Sequence, residues 1–454
     1  MRTDARPRIY LETYGCQMNE ADTEMMIGLL GEAGWEVSPE PAIADVILLN
    51  TCAVRERAEE RIAGRVQALA RLKRYRPDLR IGLAGCMARH LGEGVLEKLP
   101  EVDILVGPDS YRRLAEILAR TDEGPLVDLT LDKQERYEGI APSRPGALHA
   151  WVPIMRGCDR FCTFCVVPLV RGREKSLPAA ELVRQIEDLV EEGTIAVTLL
   201  GQTVNSYHDG EVDFGRLLDR IAQIPGLARI RFTSPHPADF TREVFEVMAS
   251  HPNLCKHIHL PVQSGSTRLL ESMKRGHTRG DFLELVAMLR GIVPEMALTT
   301  DLMTGFPGET REDFEETLSL MREVRFDGAF LFRYSPRPGT YAYRRQADDV
   351  PDPEKARRLE EMISLQEQIS AERYATWIGR EVEVLPEGPA RRDPTCLRGK
   401  SDDFKTVIIP ADALPMGALR RVTIARATSH TLIAHGVEPH AGEDLLAELP
   451  SVEG

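Results

Sequence analysis

A chain of 454 residues is too long for one ordinary domain, and two or three are expected. Hydrophobic residues at 43% and charged residues at 28% describe a globular protein, and no apolar run approaches a membrane span. A net charge of −14 argues against a dedicated nucleic-acid binder, although residues 55–76 gather eight Arg or Lys against three Glu.

The opening residues lack the apolar segment of a signal peptide. Eight cysteines without export then point to a reducing cytoplasm and to metal work rather than cross-links. Ile9–Leu11 reads as a strand, followed by an amphipathic helix over 20–34 that stops at Gly31 and Gly34. Val46–Asn50 is a second strand, a long helix runs to about Tyr75, and Ile81–Ala84 is a third strand. This alternation predicts a parallel α/β sheet. Cys16, Cys52 and Cys86 each fall just past a strand's C-terminal end, where ligand crevices form in such sheets. Three ordinary buried thiols are the alternative. Residues 121–147, with several Gly and Pro and few periodic apolars, read as a linker.

Trp151–Ile154 leads into a loop carrying Cys158, Cys162 and Cys165 in a C-x₃-C-x₂-C arrangement. Three thiolates on one loop can hold three corners of a [4Fe–4S] cube; full ligation takes four, so one iron stays open to a small chelating molecule. Zinc, which favours four ligands in two close pairs, and a disulfide with an odd thiol are the alternatives. Helices are expected at 178–193 and 214–224, with strands at Ile195–Leu200, Ala228–Phe232, His257–Leu260, Ala297–Asp301 and Gly328–Phe332. Six β/α repeats predict a partial barrel with its chemistry at the C-terminal strand ends. Arg156 and Arg171 flank the loop as candidates to pair with a carboxylate or phosphate, or as solvated surface charges. His236, His257, His259 and His277 show no ligand spacing with the thiols, and Cys255 reads as an inert buried thiol. A charged helix from Asp352 to Tyr374 follows. Beyond Trp377 the period changes to two, at Glu381–Leu385, Thr406–Ile409, Arg421–Ala425 and Thr431–Ala434, which predicts a small β-barrel with Cys396 in a loop.

The C-x₃-C-x₂-C loop with Phe164 before its last Cys resembles the signature of the radical S-adenosylmethionine (SAM) enzymes. The stretches Thr13–Asn19, Asn50–Arg55, Gly85–Met87, Pro261–Ser266, Asp301–Glu309 and Arg333–Thr340 resemble the methylthiotransferases of that superfamily. Tyr14–Asn19 and Ala53–Glu56 favour the branch acting on N6-isopentenyladenosine beside the anticodon of tRNA. The resemblance implies an N-terminal methylthiotransferase domain at 8–123, a linker at 124–147, a radical SAM core at 148–375, an RNA-binding TRAM barrel at 376–440 and an acidic tail at 441–454. It implies two [4Fe–4S] clusters, one on Cys158, Cys162 and Cys165 and one on Cys16, Cys52 and Cys86. SAM serves as methyl donor and as source of a 5′-deoxyadenosyl radical. Gln202, Asn205, Gln263, Ser264 and Gly305 would line the SAM and substrate cavity, and Arg398, Lys400, Lys405, Arg420, Arg421 and Arg426 would contact RNA. The expected reaction is methylthiolation at C2 of the adenine, in the cytoplasm, by a monomer drawing electrons from a donor such as flavodoxin or ferredoxin. Methylthiolation of a ribosomal-protein aspartate, or a non-catalytic iron–sulfur or zinc RNA-binding protein, are the competing expectations.

Overall fold

The computed structural model describes residues 6–53, 56–120, 124–140, 146–411 and 417–437. Val54, Arg55, residues 121–123 and 141–145 in and around the expected linker, and the acidic tail lie outside them. The chain divides into two compact units. The first runs to Phe161 and adds Cys165–Thr194 and Thr198–Val212; the second comprises Cys162–Phe164, Ile195–Val197 and everything from Asp213. The expected core at 148–375 is therefore shared between the two.

The N-terminal part of the first unit is built, in chain order, from β1 (Arg8–Tyr14), α1 (Gln17–Glu32), β2 (Glu36–Val37), β3 (Val46–Thr51), α2 (Glu56–Ala70), β4 (Arg80–Gly85), α3 (Cys86–Leu91), α4 (Gly94–Lys98), β5 (Ile104–Val106), α5 (Leu114–Ala119) and β6 (Leu126–Asp128). Its six strands form one sheet in the order β2-β1-β3-β4-β5-β6, with every pairing parallel. Side chains alternate between faces along a strand, and both faces of this sheet are covered. Ile9, Val46, Leu48, Ala84, Ile104 and Val106 pack on one side with Met26 and Leu30 of α1. Ile47, Leu49, Ile81, Leu83 and Leu105 pack on the other with Ile62, Val66 and Leu69 of α2.

The linker expectation is corrected here. Leu126–Asp128 pairs with β5 as the sheet's edge strand, and Tyr137 is buried in the core with its hydroxyl donating to Pro108 O at 2.7 Å. The segment is polar because it runs at an edge, yet it supplies one strand and one large core side chain.

In the second unit, strands His257–His259, Ala297–Thr304 and Gly328–Arg333 pair in parallel in that order, and Ile230 bridges Leu254. Helices Arg279–Ile292 and Arg311–Val324 fill the crossovers, each opened by a reciprocal capping box (Thr278 with Asp281, Thr310 with Asp313). The helix Asp352–Ala375 then leads to a closed barrel of strands Glu381–Pro389, Cys396–Ser401, Thr406–Pro410, Arg420–Ala427 and Thr431–Ala434. Tyr374, Val382, Val384, Val407, Ile409, Ile424 and Leu432 form its core. Cys396, expected in a loop, opens a barrel strand and is buried.

Candidate active site

The register of the parallel sheet aligns Tyr14 with Thr51 and Thr51 with Gly85. Adjacent strands lie about 4.8 Å apart, so the residues that follow these three emerge side by side at one sheet edge. They are Gly15-Cys16, Cys52 and Cys86. Gly15 holds φ +146°, and a Cβ there would stand 2.7 Å from Cys52 Cβ, so only glycine lets the Cys16 turn close against Cys52. Asn50 locks the turn further: its Nδ2 donates to Asn19 O at 2.8 Å and Thr23 Oγ1 at 3.0 Å, while Asn19 Nδ2 donates to Asn50 Oδ1. Cys16 is exposed, Cys52 half-buried and Cys86 buried.

A buried cation stands over this edge. Arg171, at the end of α6 (Val167–Arg171), donates Nε to Cys86 Sγ at 3.1 Å and Nη2 to Asp22 Oδ2 at 2.7 Å. Its Nη1 is buried without a hydrogen-bond partner. Arg156 donates to the other oxygen of Asp22 and lies 4.6 Å from the centre of the Tyr137 ring. Asp22 is fully buried and the two guanidiniums are nearly so. Burial alone would push the Asp22 carboxyl up; the two arginines more than reverse it and hold it below the ordinary value. Two cations on one carboxylate leave the cluster positive, which suits an anionic neighbour.

The thiols respond to that field. A hydrogen bond from Cys52, opposed by burial and helped by the Arg171 charge, brings Cys16 down to about 6, favouring the thiolate that iron requires. Burial pushes Cys86 up, with Arg171 opposing. Among the described residues, no three Cys, His, Asp or Glu side chains crowd closely enough to surround a single ion. A four-iron cube takes each thiolate on a different iron, and the convergent thiols, the excess positive charge and the unpartnered Nη1 fit such a group.

The second thiol set sits on the irregular loop between strand Met155–Arg156 and α6. Gly157 holds φ +78°, and a Cβ there would collide with Arg173 O at 2.0 Å. Its N–H donates to Gln202 Oε1 at 2.5 Å. Cys158 Sγ meets Thr203 Oγ1 at 3.0 Å and accepts from Arg160 N–H at 3.4 Å. Cys162 Sγ accepts from Arg275 Nη1 at 3.3 Å, while Arg275 Nη2 is anchored on Pro261 O and its buried Nε has no hydrogen-bond partner. The loop also adjoins the first thiol edge: Val166, next to Cys165, packs with Cys86 and with Ala53, which follows Cys52.

Other expected residues divide. Asn205 and Gln263 are buried, and Gln263 carries φ +77°. Ser264 is fully buried and spent on Ser266 N–H and Thr317 Oγ1, so it shapes a turn rather than lining a cavity. Gly305 is needed because a Cβ would meet Lys355 Cγ at 2.3 Å. Two of the six barrel cations are corrected. Lys405 is buried and pairs with Asp327 at 3.0 Å and with Asp403, and Arg420 is buried within the barrel, so neither reaches a phosphate. Lys400 is half-buried 4.5 Å from the centre of the Phe404 ring, and burial lowers it to about 8. Arg421 is exposed and Arg398 and Arg426 are half-buried. Cys255 is a buried thiol pushed up to about 12 by burial, as an inert role requires. Asp22, Thr203 and Arg275 escaped the sequence reading; their only signal there is position, near the Cys16 turn, next to Gln202, and after the Pro261–Ser266 stretch.

Residues 152–321 match the radical SAM superfamily, and residues 8–107 match the uncharacterized protein family UPF0004. The tRNA-2-methylthio-N(6)-dimethylallyladenosine synthase of Chloroherpeton thalassium is 46% identical over 95% of this chain and 96% of its own. That of Chlorobium limicola is 45% identical over 95% and 98%. A radical S-adenosylmethionine methyltransferase from Kitasatospora setae shares the fold, with a TM-score of 0.56 over 75% of this chain and 74% of its own at 15% identity. Near-complete coverage at this identity places the chain in the radical SAM superfamily and, within it, in the family of the tRNA-2-methylthio-N(6)-dimethylallyladenosine synthases.

Proposed function

We propose that the protein methylthiolates C2 of N6-(dimethylallyl)adenosine next to the anticodon of tRNA, with SAM as both methyl donor and radical source. The observation that carries the reading is the meeting of Cys16, Cys52 and Cys86 around the buried Arg171, in a chain 46% identical to a synthase of that name. We assign one [4Fe–4S] cluster to Cys158, Cys162 and Cys165, and a second to Cys16, Cys52 and Cys86. The first, held by its three thiolates, would supply the electron for cleaving SAM, and the second would supply the sulfur chemistry beside the substrate. C2 of adenine carries an unactivated C–H bond, which no side-chain base deprotonates, so a hydrogen atom must be abstracted instead.

The protein's own groups prepare this chemistry. Arg275 and Thr203 hold the sulfurs of Cys162 and Cys158, and hydrogen bonds to such sulfurs are one lever on cluster potential. Arg171 orients Cys86 and keeps Nη1 as a donor for a sulfur anion held there. Gln202 fixes the Gly157 turn, and we assign SAM and substrate contacts to Asn205 in the first unit and to Gln263 and Gly305 in the second. Arg398, Arg421 and Arg426 contact phosphates on the barrel, which we read as a TRAM domain. We place it in the cytoplasm as a monomer reduced by a donor such as flavodoxin or ferredoxin. None of its described helices is long and apolar enough to cross a membrane.

Nucleoside analysis of tRNA from a strain lacking the gene tests the reading: the 2-methylthio form disappears and the dimethylallyl form accumulates. In reconstituted enzyme, Cys158→Ala abolishes SAM cleavage, whereas Cys52→Ala leaves cleavage measurable and stops sulfur insertion. Normal thiolation by Cys52→Ala would refute the second assignment.

A further inference from the structure

We propose that the helix Tyr341–Arg345, with Lys274, is a stacking surface for unpaired nucleotides of the tRNA anticodon loop; the proposal rests on the tRNA reading above. The helix hangs from the loop of Cys162. Ala342 N–H donates to Thr163 O at 2.8 Å, and Thr163 donates its N–H to Met273 O and its hydroxyl to Ser272 O, both at 3.0 Å. Ala342 is fully buried with Leu269, Met273, Phe306 and Tyr334, and Phe164 packs against them. One small side chain thus seats the helix on the residues between Cys162 and Cys165.

The remainder of the helix faces outward. Tyr341 is 53% exposed and Tyr343 52%, and Arg344 and Arg345 are exposed. Positions three and four apart are neighbours on a helix surface, so Tyr341 shares a face with both arginines. Exposed Lys274, held at φ +55°, places Nζ 5.0 Å from the centre of the Tyr341 ring. Glu271, one helical turn earlier, leaves the balance positive.

Open aromatic rings beside cations suit single-stranded RNA, whose bases stack in any sequence while phosphates find the charges. Folding gains nothing from leaving two tyrosine rings in water, whereas a base to be modified must be brought to the Cys158–Cys165 loop with its neighbours splayed. The burial of Lys405 and Arg420 also removes two of the cations expected to hold RNA from the barrel, which this surface replaces.

The test measures binding of an anticodon stem-loop RNA carrying N6-dimethylallyladenosine to the reconstituted full-length enzyme. Tyr341→Ala with Tyr343→Ala weakens binding about tenfold or more, and the Phe pair binds like the wild type. Lys274→Gln, Arg344→Gln and Arg345→Gln together lower the salt slope by about two to three. Iron content and RNA-free SAM cleavage stay at wild-type levels in all of them, which excludes misfolding. Unchanged affinity in the alanine pair overturns the proposal. So does slower SAM cleavage confined to assays with a protein reductant, which would assign the surface to that partner. Failure of the wild-type enzyme to bind the RNA at all would instead strike the tRNA reading itself.

Discussion

The thiol edge of the N-terminal sheet and the C-terminal barrel both bury cations, and they use them differently. Around the barrel, Arg229, Arg231 and Lys405 are spent on structure. Arg229 donates to Lys400 O at 2.5 Å and Glu383 O at 2.8 Å, and Arg231 to Ser401 O and Asp402 O. Lys405 pairs with Asp327 and Asp403 and lies over Trp377 and Tyr374, while Arg373 takes the other Asp327 oxygen at 2.9 Å. At the thiol edge, Arg171 keeps a buried donor unused after serving Cys86 and Asp22. An unmade hydrogen bond in a buried site is costly. Arg373 also keeps a buried Nε without a hydrogen-bond partner, so a spare donor speaks of a ligand only where, as at Arg171, convergent thiols stand beside it.

Arg171→Gln breaks this contrast most sharply if it is wrong. Iron and acid-labile sulfide in anaerobically reconstituted protein should fall from about eight to about four of each per chain, and Arg229→Gln should leave both at about eight. Equal loss in the two variants would mean that the thiol-edge arginine is only structural. Next in size, Lys405→Met should destabilise the protein by about 3–5 kcal/mol in urea titrations, because Asp403 and Asp327 lose a buried partner. The same variant should leave the salt slope of RNA binding unchanged. Arg421→Gln is the smallest and the mirror image: stability should stay within about 0.5 kcal/mol, while the salt slope falls by about one.

Much of the site was legible because strand ends are legible. Val46–Leu49 and Ile81–Ala84 are apolar runs, as strands buried on both faces must be, and a cysteine soon after such a run falls at the sheet's C-terminal edge. The barrel strand Thr431–Ala434 matched residue for residue. Leu126–Asp128 stayed hidden because three residues after a Gly-Pro pair carry too little periodicity to mark a strand. The strand at Cys396–Ser401 is half polar and lacks an apolar alternation, so it read as loop. Asp22 was invisible for a different reason. An acid on an amphipathic helix looks like its solvent face, and only the fold brings two arginines from more than 130 residues away to meet it.

That meeting has a consequence for how the enzyme is assembled. Arg156 lies two residues before Cys158 and Arg171 six after Cys165, so a single carboxylate on the helix that opens beside Cys16 grips both ends of the Cys158–Cys165 loop. A fragment beginning after residue 120 would leave those guanidiniums facing each other with no counter-ion. Trimming the N-terminal sheet would therefore cost the Cys158–Cys165 loop the carboxylate that holds both of its ends.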